Sequence, residues 1–156
     1  MKQGSDGKRK TTYGFKVHAN VDEDGFIKTY AYTAGNTHDS QVFEELLTGH
    51  EKSIYADSAY KSQKHDELLS SKGIRNRVLE RAYRNKPLTD EQKRFNRRSS
   101  GVRCTVERVF GVLKLHYGMG KARYLGLCRN QTRFGLMSLA HNLKRGASIN
   151  RSLIQA

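Results

Sequence analysis

The sequence predicts an α/β fold, and three observations carry that expectation. Apolar and polar residues alternate at period two from Tyr13 to Val21, and apolar residues recur at helical spacing from Val42 to Leu47 and from Val102 to Leu113. The two patterns interleave along the chain as strand, strand, helix, strand, helix, strand. With 156 residues, 36% hydrophobic and 28% charged, and a single proline, the composition is that of one globular domain and excludes disordered, collagenous and low-complexity classes. A chain of this length buries about 70% of the surface its unfolded form exposes. Cys104 and Cys128 are therefore not needed as a disulfide and read as reduced intracellular thiols.

Residues 1–12 are polar and glycine-bearing, with a Lys8-Arg9-Lys10 run, and read as a flexible basic arm or truncation remnant ahead of a domain over 13–156. Tyr13, Phe15, Val17, Ala19 and Val21, alternating with Gly14, Lys16, His18 and Asn20, give a strand with one covered face. Asp24-Gly25 signals a tight turn, and the aromatic and β-branched run from Phe26 to Thr33 completes a hairpin. The cluster Gly35-Asn36-Thr37-His38-Asp39-Ser40 precedes a helix over about 40–48, with Asp39 as its cap. Ser53 to Asp57 is a short strand ending on a carboxylate. Ser58 to Lys72 is a polar helix with Leu68 and Leu69 facing inward, closed by Gly73, and Ile74 to Leu79 is a further strand. After the basic stretch Arg81–Lys86, Pro87 and a Thr89-x-x-Gln92 capping box open a long helix. Ser99-Ser100-Gly101 is placed to interrupt that helix before the stripe of Val102, Val106, Val109, Phe110 and Leu113. Gly118, Gly120 and Gly126 mark a loop, and a last helix over about 130–145 carries Phe134, Leu136, Met137, Leu139 and Leu143.

The net charge of +14 sits in the second half: residues 79–156 hold 17 Lys/Arg against 4 Asp/Glu, whereas residues 1–78 hold 12 against 11. Twelve of those seventeen cations are arginine, the side chain best suited to bidentate phosphate contact. An excess of this size reads either as a solvated face or as a surface for nucleic acid, and its magnitude favours the second. No apolar run approaches the roughly 20 residues that cross a bilayer. The N-terminus also lacks an apolar export segment. The expectation is a cytoplasmic, nucleoid-associated protein with no membrane partner.

Two carboxylates are placed for chemistry. Asp57 closes a predicted strand, at the end of an α/β sheet where ligands collect. Glu107 is the only acid after Glu91, within the most basic stretch. At about 100° per residue, Arg103, Glu107 and Lys114 fall within about 40° of one another beside the apolar stripe, with Arg108 on the far face. Glu107 reads either as half of an i, i+4 surface ion pair or as a functional acid. Phosphodiester chemistry needs an activated oxygen nucleophile and compensation for charge at phosphorus, which a pair of divalent ions held by carboxylates supplies. Among other candidates, Asp39 is more economically a helix cap than a general acid or base. Cys104, His116, Cys128 and His141 lack the paired spacing of a zinc site. Tyr83, Phe95, Tyr117 and Tyr124, among basic residues, could pack or could stack on bases.

Four ordered blocks, Tyr13-Gly-Phe-Lys-Val-His18, Asn36-Thr-His-Asp-Ser40, Tyr55-Ala-Asp57 and Arg103-x-x-x-Glu107-Arg-x-Phe-Gly-x-x-Lys114, resemble the insertion-sequence transposases of the DDE type from about Tyr13 to Arg145. The resemblance implies a ribonuclease H-like mixed sheet with flanking helices, and Mg²⁺ (or Mn²⁺) in a two-metal arrangement in the complete enzyme. It also implies cleavage and strand transfer on double-stranded DNA at transposon ends and target. By this likeness Asp57 matches the second acid and Glu107 the third, while Arg103 and Lys114 match the basic residues flanking the glutamate in a Tyr-Arg-Glu-Lys signature. Arg108 joins them as a DNA-contact candidate, and Ser100 stands where the signature has tyrosine.

The first acid of that family lies on a strand upstream of the block at Tyr13–His18. Here the twelve preceding residues offer only Asp6, in Gly4-Ser-Asp-Gly7, which has no strand character. The chain therefore reads as a C-terminal catalytic-domain fragment missing its first strand, with an exposed sheet edge and weak metal binding, inactive alone unless another segment or chain completes the sheet. The rival reading is a non-catalytic DNA-binding remnant, or a chain that acts only by pairing with a fuller transposase; a homo-oligomer is the other expected assembly, and an RNA-binding basic protein is a third reading.

Overall fold

The computed structural model describes residues 2–3, 9–10, 14–83 and 87–154; Tyr13 and the basic residues 84–86 lie outside them. Near the N-terminus the two-residue strands β1 (Lys2–Gln3) and β2 (Arg9–Lys10) pair antiparallel, a pairing that the polar composition did not suggest. The expected hairpin follows as β3 (Phe15–Val21) and β4 (Ile27–Ala34), with Val17 opposite Tyr32 and Ala19 opposite Tyr30. Gly25 turns it at φ +87°, a conformation costly for any residue with a Cβ. The register shifts between Asn20 and Val21, and this bulge lets Ile27 join the face that carries Tyr30 and Tyr32.

The hairpin was expected to have one covered face, but both are covered. On one side Val17, Ala19, Val21, Tyr30 and Tyr32 pack against Ile27, Val109, Leu113, Phe134 and Met137. On the other, Ala31 meets Val42 and Leu46, and His18 is buried. The second layer that does this comes from residues 39–60.

That layer is less helical than its spacing suggested. Instead of a helix over 40–48 there is a 3₁₀ turn at Asp39–Val42, capped by His38 rather than Asp39, with His38 Nδ1 accepting from the Ser40 amide at 3.3 Å. The turn after it keeps a helical bond from the Leu46 N–H to the Val42 carbonyl, while the Leu46 carbonyl, left free at its end, accepts from the side chains of Asn20 and Thr29 on the hairpin and ties this layer to it. Likewise the helix expected over 58–72 breaks into a 3₁₀ turn at Ser58–Tyr60 and α1 (Gln63–Ser71). Ser62 caps α1 by accepting from the His65 amide, which restarts the helix at that point. Leu69 is fully buried with Phe43 and Ile74, while Leu68 is only half-buried.

Strands β5 (Ser53–Ile54) and β6 (Arg75–Asn76) pair in parallel. The ladder continues through Arg77 N–H to the Ile54 carbonyl and Leu79 N–H to the Ala56 carbonyl. The α/β class holds, but one continuous mixed sheet does not form. Among the described residues the strands make three separate two-stranded sheets, and no backbone hydrogen bond joins β3 to β5.

Two long helices finish the chain. The capping box at Thr89 and Gln92 starts α2 (Asp90–His116) as expected. Ser99-Ser100-Gly101 does not interrupt it: each of the two interior glycines, Gly101 and Gly111, costs about 1 kcal/mol, which the burial of Ser99, Val109 and Leu113 offsets. α3 (Leu127–Ile154) extends beyond its expected ends. It buries Phe134, Met137 and His141 against the sheet and leaves Leu136, Leu139 and Leu143 exposed. Asn142 of α3 holds β4 like a neighbouring strand, its amide accepting from the Ile27 N–H and donating to the Ile27 carbonyl, both at 2.9 Å.

Candidate functional site

Between the hairpin and the β5/β6 pair lies a cleft of about 810 Å³. One side is the run Val17–Glu23 and the other the run Lys52–Asp57; α2 contributes Val102, Arg103, Thr105, Val106 and Phe110, and the turn layer contributes Phe43, Leu46 and Leu47. Asp57 and Arg103 therefore open onto the same space. Arg103 reaches Glu107 across one helical turn, Nη2 to Oε1 at 2.7 Å. Its Nε is buried with no hydrogen-bond partner. Glu107 is itself mostly exposed, so the pair stands at the rim with one carboxylate oxygen committed to arginine.

Asp57 is also half engaged: its Oδ1 accepts from the Ser58 amide at 2.6 Å and caps the 3₁₀ turn. Each acid thus retains an oxygen for a hard cation such as Mg²⁺ or Mn²⁺, which accepts one or two carboxylates and keeps waters besides. The donor chemistry fits that metal class, although among the described residues no three acidic, histidine or cysteine side chains gather at one point.

Lys114 does not share this cleft. Seven residues beyond Glu107, about 10 Å along the helix, it lines a shallow depression with Gly118, Gly120, Lys121, Ala122 and Arg123. Arg108 is exposed on the outer face and donates to Thr105 Oγ1 at 3.1 Å. Of the aromatic residues among the basic ones, Tyr83 and Tyr124 are exposed, Tyr117 packs on the core, and Phe95 lies under the Arg77 guanidinium.

Three groups that matter here escaped the sequence reading. Tyr60, three residues past Asp57, has its phenol pushed up to about 12 by burial, then by the nearby Asp39 and Asp57 charges, so it remains a neutral hydroxyl beside the acid. His18, 3.5 Å from that hydroxyl, has its pKa lowered chiefly by burial, with Lys16 acting in the same sense and Asp39 opposing. Asp39, instead of capping, accepts from Lys16 Nζ at 2.9 Å.

Glu51 is the third. Its Oε1 accepts from Asn20 Nδ2, the Thr48 amide and the Thr48 hydroxyl, and its Oε2 from the Gly49 amide. Burial alone would raise the pKa of this carboxyl, but the Thr48 hydroxyl and the Thr48 and Gly49 amides outweigh it and hold the value at about 2. The Thr48-x-x-Glu51 spacing, the pattern of a capping box, was the available signal. Because the folded value lies below the ordinary one, the stabilisation is complete above about pH 4.5 and is lost as pH falls through about 2. Glu51→Gln is expected to cost about 1–3 kcal/mol at neutral pH and to flatten the acid limb of stability. Denaturant unfolding of both forms between pH 7 and pH 2 checks this; equal slopes would refute it.

Comparison with known proteins meets this geometry at the level of family. A family model described as the transposase DDE domain matches residues 1–143. The chain is also similar to a protein of Neisseria meningitidis serogroup B described as the transposase for insertion sequence element IS1106, 31% identical over 137 residues, which cover 86% of this chain and 48% of that protein. The chain thus spans about half the length of the relative it matches. No solved structure matches it. With nearly all of its length under that one description, the chain belongs to the transposase DDE domain family.

Proposed function

We propose that the chain is the greater part of a ribonuclease H-like transposase catalytic domain over 13–156, acting on double-stranded DNA at transposon ends and target. The observation that carries this reading is that Asp57 and Arg103, the ion-pair partner of Glu107, line one cleft. In the complete enzyme Asp57 and Glu107 each offer an oxygen to Mg²⁺ or Mn²⁺, which supplies Lewis-acid assistance at phosphorus when bound. This chain's own residues do the rest: Arg103 neutralises and orients Glu107, and the Ser58 amide fixes the Asp57 carboxylate. Tyr60 stays protonated behind Asp57, and Lys114, Arg108, Lys121 and Arg123 present cations to the DNA backbone.

A second reading is favoured by the commitment of Glu107 to Arg103: a non-catalytic DNA-binding chain, alone or as partner subunit of a fuller transposase. Fluorescence anisotropy on a labelled duplex separates the two. Either reading requires affinity that falls steeply with salt, with Lys121→Glu/Arg123→Glu weakening binding about tenfold. Salt-independent affinity would sink both. Under the first, Mg²⁺ strengthens or reshapes binding in the parent chain and loses that effect in Asp57→Ala and Glu107→Ala. Under the second, Mg²⁺ and those substitutions leave affinity unchanged.

A further inference from the structure

The loop between α2 and α3, residues 117–126, divides its apolar side chains in two. Tyr117 and Met119 pack on the core that the hairpin shares with the two long helices. Tyr124 and Leu125 face outward, Tyr124 at 49% exposure and Leu125 at 94%. A loop free to move would fold such a leucine back onto apolar surface, because leaving it in water forgoes the free energy of burial. Here the backbone prevents that collapse.

The buried Asn130 side chain holds the main chain on both sides of these two residues. Its Oδ1 accepts from the Arg123 and Tyr124 amides, and its Nδ2 donates to the Tyr124 and Gly126 carbonyls. Gly126 closes the loop at φ +84°, a conformation that residues with a Cβ rarely adopt. Arg133, also on α3, donates to the Gly118 carbonyl at 2.8 Å and to the Lys121 carbonyl at 3.0 Å. The backbone is ordered before any ligand arrives, so covering the Tyr124 and Leu125 side chains carries little loop-ordering entropy.

The surrounding charge selects the ligand. Residues 108–156 hold nine Lys/Arg and no Asp or Glu. Lys114, Lys121 and Arg123 line one depression. Gly118 lets two guanidinium groups converge beside it: a Cβ there would lie 3.5 Å from Arg133 Nη2 and 4.0 Å from Arg123 Nη2. Among the described residues neither arginine makes an ion pair. Cations gathered without acids suit successive phosphates. An apolar pair adjoining them suits what lies between two phosphate backbones, the faces of the bases.

We infer that Tyr124 and Leu125 form a rigid wedge for double-stranded DNA at a loosened base step. Leu125 enters the stack, the Tyr124 ring lies against the base so uncovered, and Lys121 and Arg123 hold the flanking phosphates. This rests on the proposed DNA reading and goes beyond it, since contacts to the phosphate backbone alone need no apolar residue. Lys114, on the rim of the same depression, lies about 10 Å along α2 from Glu107. Duplex DNA rises about 3.4 Å per base, so the step engaged is about three bases or more from the one that faces the cleft.

Two labelled duplexes test it, identical except that one carries adjacent central mismatches, which remove part of the unstacking cost. Anisotropy of the full chain is read with each over a range of salt concentrations. The expected result is an affinity about tenfold higher for the mismatched duplex, a preference that Tyr124→Ser/Leu125→Ser abolishes. The salt slope stays as it was, because that variant removes no cation. Tyr124→Phe/Leu125→Met keeps the preference, which separates stacking from a contact through the phenol hydroxyl. Equal affinity of the parent for both duplexes, or a preference that survives Tyr124→Ser/Leu125→Ser, overturns the wedge, while salt-dependent binding to both leaves the DNA reading standing. Absence of salt-dependent binding to either duplex overturns both. Self-association of the parent at rising protein concentration without DNA, lost in the serine variant, assigns the pair to a second copy of this chain and also overturns the proposal.

Discussion

Replacing Phe134 by alanine is expected to lower the free energy of unfolding by about 3–5 kcal/mol. Phe134 is 2% exposed and joins α3 to the hairpin: its ring lies edge-on to Tyr30 at 4.9 Å between centroids and tilted against Tyr32 at 6.2 Å. The hairpin cannot shift to fill the gap, because Asn142 fixes the Ile27 backbone and His141 Nε2 meets the Gly25 carbonyl. A domain of this size has about 5–15 kcal/mol in all, so the variant sits near the threshold of folding at 37 °C. Urea unfolding followed by far-ultraviolet circular dichroism measures the change. A loss below about 1 kcal/mol would mean that the α3–hairpin contact is not the centre of the core.

Asn130→Ala is expected to cost about 2–3 kcal/mol and to release the loop between α2 and α3. The side chain is 2% exposed and acts as a four-way tie: Oδ1 accepts from the Arg123 and Tyr124 amides, and Nδ2 donates to the Tyr124 and Gly126 carbonyls. Truncation strands two donors and two acceptors, some of which recover water only if the loop opens. Amide exchange at 119–126 should therefore accelerate more than global stability alone requires. Asn130→Asp keeps the acceptor and loses both donors, so it should fall between the parent and the alanine variant. If both variants leave loop exchange unchanged, the loop is held instead by Arg133, which donates to the Lys121 and Gly118 carbonyls.

What was legible in the sequence divides along the range of the forces involved. The hairpin, the Thr89 capping box, the loop glycines and the two long helices are set by residues a few positions apart, and each is visible in periodicity or turn chemistry. The 3₁₀ segment at Asp39–Val42 was not, because the layer it belongs to is shaped by contacts distant in the chain, with Asn20 and Thr29 of the hairpin binding the Leu46 carbonyl and Ala31 packing on Val42 and Leu46. Asp39 was misread for the same reason: its partner Lys16 is 23 residues away. Of the candidate site, the Arg103–Glu107 pair follows from helical spacing alone. The opening that Arg103 shares with Asp57 depends on how α2 crosses the strand ends, and Lys114 proved to belong to a different depression.

The Asn142 amide clasped to Ile27 makes a side chain of α3 do the work of a neighbouring strand at the first residue of β4. The two partners lie 115 residues apart in the chain. Loosening α3 therefore leaves the Ile27 N–H and carbonyl without a partner, so the last helix and the first hairpin are coupled in unfolding as well as in packing.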